Sequence, residues 1–123
     1  MNVIMVFIGG GIGAVLRYGT GKIVPFLTKN NNPIWSTMTA NLIASILFAV
    51  FVAYVLPKTN QQNLNLLLLT GICGGYSTFS TFAFENLTLL QRGQWGFFLL
   101  NVVVSLVLSI GLMAVILKKS DLI

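Results

Sequence analysis

Four apolar stretches, at residues 3–26, 34–56, 64–90 and 95–117, take up nearly the whole chain. Crossing a ~30 Å hydrocarbon layer takes a helix of about 20 apolar residues, so each stretch is long enough to span one. Of 123 residues 56% are hydrophobic and only 7% are charged, whereas soluble domains carry roughly 25% charged residues. The chain therefore reads as an all-α, multi-pass membrane protein of four transmembrane helices. It forms a single domain over residues 1–123, in contact with lipid, and the expected location is the cell inner membrane. The connections at 28–33, 57–63 and 91–94 are short, which makes consecutive helices antiparallel. With no basic residue before Arg17, the first stretch lacks the n-region of a signal peptide and is expected to stay in place.

Seven basic residues against two acidic ones give a net charge of +5, but the basic residues are dispersed between apolar runs. That excludes the contiguous basic face by which a protein grips nucleic acid. There is no histidine, and Cys73 is the only cysteine. Zinc, haem and histidine acid–base chemistry lose their commonest carriers, and no enzyme is expected. Lys58, Lys118 and Lys119 fall at one membrane face; Arg17, Lys22, Lys29 and Arg92 fall at the other. Because basic residues near span ends set orientation, so even a division gives almost no orienting signal. A chain inserted in both directions has this balance, and oppositely inserted copies can pair as an antiparallel dual-topology homodimer. The alternative is one orientation set by one or two dominant charges.

Gly9-Gly10-Gly11-Ile12-Gly13-Ala14 fits the dinucleotide pattern G-x-G-x-x-A, yet the acidic residue expected ~20 positions later is missing. Gly9 and Gly13 fit better as a small-x-x-x-small patch for close helix packing. Arg17, four residues on, is either a snorkelling interfacial arginine or a positive collar at a pore mouth.

The third stretch holds Gly71-Ile72-Cys73-Gly74-Gly75-Tyr76-Ser77-Thr78-Phe79-Ser80-Thr81-Phe82 at about its middle. Poor helix formers there predict a third helix broken near the bilayer midplane. Freed carbonyls at such a break can hold a cation, and the alternative is a packed glycine hinge without an ion. Phe79 and Phe82 share a helical face, where they either pack in the core or turn positive ring edges toward an anion. Glu85 is a carboxylate inside an apolar span, with Ser80 and Thr81 as its expected partners. Thr37, Asn41 and Ser45 form one helical polar stripe, and Asn101, Ser105 and Ser109 form another. Such stripes serve interhelical hydrogen bonding. Beside a broken helix, they also describe a narrow uncharged path whose O–H and N–H donors replace the water around a small anion.

These residues together resemble the Fluc/CrcB family of fluoride channels, and the resemblance covers essentially the whole chain. It rests on Gly-Gly-Gly-Ile-Gly-Ala-Val-Leu-Arg-Tyr in the first stretch, on Asn41-Leu42, and above all on Gly74 to Phe82 with Glu85. The resemblance implies an antiparallel homodimer with two pores, passive export of fluoride, and a structural Na+ at the dimer centre. Gly74 and Ser77 look like the sodium-binding positions through their backbone carbonyls. Phe79 and Phe82 resemble the aromatic "Phe box", and Asn41 resembles the pore asparagine. Ser80, Thr81 and Glu85 are similar to its third-helix polar cluster, and Asn101, Ser105 and Ser109 to its fourth-helix track. Met113 stands where that track commonly has a hydroxyl, and Asn101 where it can have an aromatic hydroxyl. A proton-coupled exporter of the small multidrug-resistance type fits the length too, but its first-helix glutamate is missing. A non-transporting membrane scaffold is the third reading.

Overall fold

A computed structural model describes residues 1–123. Four helices long and apolar enough to cross a membrane run over Asn2–Thr28, Pro33–Lys58, Gln62–Gln91 and Trp95–Lys119. Each apolar stretch read from the sequence lies inside one of them. The helices run a little longer because backbone bonding continues into polar residues such as Lys58, Gln62 and Lys119.

Local chemistry sets the ends. Lys29 turns left-handed (φ 53°) and stops the first span. The Asn32 side chain accepts the Ile34 N–H at 3.3 Å, and Pro33 opens the second span where its missing N–H costs nothing. Gly93 (φ 69°) makes the turn into the fourth span. Wider turns, with N–H bonded to the carbonyl five residues back, occur at Phe51–Val55, Leu66–Cys73 and Val104–Leu108.

Only 17 of 123 residues are buried within the chain, and the hydrophobic cluster is Ala40, Ala44 and Tyr76 with Leu47 against it. Phe7 and Phe26 are each 81% exposed. An exterior this apolar would aggregate in water, whereas lipid tails solvate it without penalty. Packing inside the bundle must come from close fit rather than from water exclusion.

That fit is made of glycine. Gly9 and Gly13 face Gly71 and Gly75 of the third span so closely that a Cβ on Gly71 would lie 2.6 Å from Gly9 Cα. One on Gly75 would lie 2.6 Å from the Gly10 carbonyl oxygen. The small-residue patch expected on the first helix thus meets a second one, with the same four-residue spacing. Just beyond it, the Thr20 hydroxyl donates to the Leu16 carbonyl at 3.0 Å, so at the 2.7 Å contact between Tyr76 Oη and Thr20 Oγ1 the tyrosine is the donor. This hydrogen bond ties the first span to the residue that precedes Ser77.

Candidate functional site

Near the middle of the Gln62–Gln91 span the backbone leaves the helical region at Ser77 (φ −81°, ψ 151°) and Thr78 (φ −146°, ψ 113°), and helix resumes at Phe79. In an unbroken helix the Thr78 N–H would bond the Gly74 carbonyl. Here it is given at 3.3 Å to Asn41 Oδ1 of the second span. One side chain therefore does two things: it satisfies a donor exposed by the extended segment, and it leaves the Gly74 carbonyl without its intrahelical partner. The same bond orients the Asn41 amide. With Oδ1 taken up by the backbone, its Nδ2 protons are left to face whatever lies beside it. No side chain caps the start of Phe79–Gln91, so the first N–H groups of that helix are open as well.

Two cavities meet at Asn41 and Thr78. One, of about 330 Å³, is bounded by Arg17, Gly21, Thr37, Thr81 and these two residues, and reaches the loop end at Asn31 and Pro33. The other, of about 250 Å³, has Ser45, Phe79, Phe82, Ser105 and Ser109 in its walls. A third hollow, of about 260 Å³, takes in Cys73, Gly74, Ser77 and Met113. The Phe79 and Phe82 rings stand 6.1 Å apart at 39°, with Phe79 81% exposed in the single chain. Placing Phe79 so far out leaves its ring open to the cavity and to the outside of the chain.

Glu85 departs from its expected partnership. Thr37 Oγ1 donates to Glu85 Oε1 at 2.6 Å, in a buried bond between the second and third spans. Ser80 and Thr81 do not bond the carboxylate. The Ser80 hydroxyl pairs with that of Thr78 at 3.3 Å, and Thr81 is exposed along the first cavity. The physical reason is that the carboxylate reaches sideways to the packed neighbour instead of back along its own helix.

Asn101 is not among the residues that border the two cavities. It is fully buried behind the cavity wall, and its Nδ2 donates to Asn86 Oδ1 at 3.1 Å. Ser105 lines the cavity and donates backward to Asn101 Oδ1 at 3.4 Å. Asn86 and the Tyr76–Thr20 pair were not singled out in the sequence. A polar Glu85-Asn86 pair inside an apolar run was the available signal for the first.

Comparison with known proteins gives this geometry a lineage. Residues 4–117 match the family described as CrcB-like protein, Camphor Resistance (CrcB). The chain belongs to the CrcB family. A fluoride-specific ion channel FluC of Bacteroides fragilis is 40% identical over 117 residues, 94% of this chain and 91% of that protein. The proteins of the same name from Coxiella burnetii (strain CbuK_Q154) and Agrobacterium fabrum are 37% identical over 112 residues and 36% over 111. These cover 89% of this chain in both cases, and 90% and 88% of the relatives. The match thus takes in all four spans of this CrcB chain, the extended segment at Ser77–Thr78 included.

Proposed function

We propose that this chain is a fluoride-specific channel, passing fluoride out of the cell down its gradient. The observation that carries the reading is the pair Asn41 and Thr78, which belongs to both cavities. An anion attracted by Arg17 into the first cavity passes the Asn41 amide to reach the second, where ring edges and hydroxyls take over from water. No fixed positive charge waits inside, so the ion is held by neutral donors that can let it go. The names of the relatives point to the same ion.

The assembly we propose is an antiparallel homodimer of oppositely inserted copies with two pores. The near-equal division of basic residues between the two ends supports it, as does the exposure of Phe79. Cysteines placed in the 29–32 and 58–62 loops are each expected to be labelled from both sides of intact cells. Labelling of each loop from one side only overturns dual insertion.

A structural Na+ fits the break. Gly74 lost its helical N–H partner to Asn41, and the ψ of 151° at Ser77 turns that carbonyl out of the helical direction. Both residues border the same hollow. Carbonyl oxygens suit a hard monovalent cation, and two per chain are too few unless a second copy adds its own. When bound, the ion would neutralise these carbonyls and tie the copies together; the chain's part is to hold the break open through the Asn41–Thr78 bond.

Fluoride efflux from potassium-loaded liposomes tests the reading. Fast passive release, unaffected by a proton gradient, is expected. Proton-coupled movement of a lipophilic cation would point to an exporter, and no flux of either to a scaffold. In the same assay Phe82→Ile should slow fluoride by up to about tenfold, since an aliphatic side chain keeps bulk but lacks the ring's positive edge, worth up to ~1.5 kcal/mol. Phe79→Ile should act in the same direction. Dissociation of either variant in detergent, with flux lost only for that reason, would make these rings packing residues.

A further inference from the structure

The hydroxyls around the second cavity differ in where their single proton already goes. Ser45 gives its proton to the Asn41 carbonyl at 2.8 Å, and Ser77 gives its own to the Cys73 carbonyl at 3.1 Å, each closing a bond within its own helix. Ser105 has the same option, but its partner is the side chain of Asn101, at a longer 3.4 Å. A hydroxyl has one proton, so in this arrangement Ser105 turns lone pairs, not its donor, toward the cavity. To hold an anion it must first let go of Asn101.

Asn101 is placed to make that exchange reversible. It is wholly buried, so water cannot replace Ser105 when the proton swings away. Its Nδ2 donates to Asn86 Oδ1 at 3.1 Å, which leaves Oδ1 as the end of the amide that faces Ser105. For Asn101 to present a donor there, that bond would have to break and the Asn86 amide turn over with it. An acceptor held in place and left unsatisfied pulls the proton back when it can. Conduction needs binding weak enough for the ion to leave.

Resting on the proposed fluoride function, we infer that Asn101 is a positioning residue for ion release, a competing acceptor that takes back the Ser105 proton, with Asn86 fixing its orientation. At 3.4 Å the contact is longer than an ordinary O–H···O bond, and a charged acceptor competes well against it.

The test is fluoride current through reconstituted protein as a function of fluoride concentration. Without the competitor, Asn101→Leu should hold fluoride more tightly at Ser105. The half-saturating concentration is expected to fall about fivefold, the size of one modest hydrogen bond, and the maximal current should fall with it. The same substitution in a Ser105→Ala background should leave half-saturation where Ser105→Ala alone puts it, because the two residues act through one proton. Since Asn101→Leu strands the Asn86 amide, the double change Asn86→Leu with Asn101→Leu removes both partners and provides a variant expected to fold. It should show the same fall. Unchanged half-saturation in both variants, or an equal shift in the Ser105→Ala background, overturns the inference while the channel reading stands. Absence of fluoride current in the unaltered protein overturns both.

Discussion

Asn41→Asp should reduce fluoride flux on the order of 1,000-fold while leaving the fold intact. The replacement is nearly isosteric, and an aspartate oxygen can accept the Thr78 N–H as Asn41 Oδ1 does at 3.3 Å, so the extended segment keeps its support. What changes is the other half of the group. The two Nδ2 protons shared between the cavities become an oxygen carrying negative charge. At ~4 Å in an effective dielectric of ~20, two like charges repel by about 4 kcal/mol, and each 1.36 kcal/mol is a factor of ten in rate. Asn41→Ala should be milder for the passing ion but should loosen the break, because it removes the acceptor for the Thr78 N–H. Liposomal fluoride efflux, read beside the elution volume of the purified protein, separates the two effects. Flux near that of the unaltered protein in Asn41→Asp would take this residue out of the path.

The four spans were legible because length and hydropathy are properties of one helix at a time, and a bilayer asks little else of a helix's outer surface. The polar stripes were legible for the same reason: Thr37, Asn41 and Ser45 lie at a spacing that puts them on one face whatever that face meets. Partnership between helices was not. Glu85 is bonded to Thr37, 48 positions away, while spacing along the chain offered only Ser80 and Thr81. Asn101 shares a stripe with Ser105 and Ser109, yet it is fully buried and borders neither cavity, whereas Ser105 stands in the wall of one. Periodicity fixes which residues share a face; the rotation that decides which edge of that face is buried comes from packing with neighbours.

The glycine contact between the first and third spans carries the other large effect. Gly71→Val should leave little folded protein, with at least a tenfold loss of monodisperse material after detergent extraction, and Gly71→Ala should fall in between. A Cβ at this position would lie 2.6 Å from Gly9 Cα, and one at Gly13 would lie 2.7 Å from the Tyr76 backbone nitrogen. Backbone on both sides leaves no flexible side chain to move aside, so the cost is expected to exceed the ~1–3 kcal/mol of ordinary overpacking. Gly96→Ala, at a glycine with nothing within 4 Å, is the matched control and should extract normally. Normal yield and normal flux from Gly71→Val would show that the two helices can part without consequence. The contact matters to transport as well as to folding, because the first span also holds Tyr76 through Thr20, one residue before the backbone leaves the helix. With the first half of the third span clamped on glycine, Ser77 and Thr78 are held where Asn41 can reach them. A variant that extracts well but passes fluoride slowly would locate its damage at that reach.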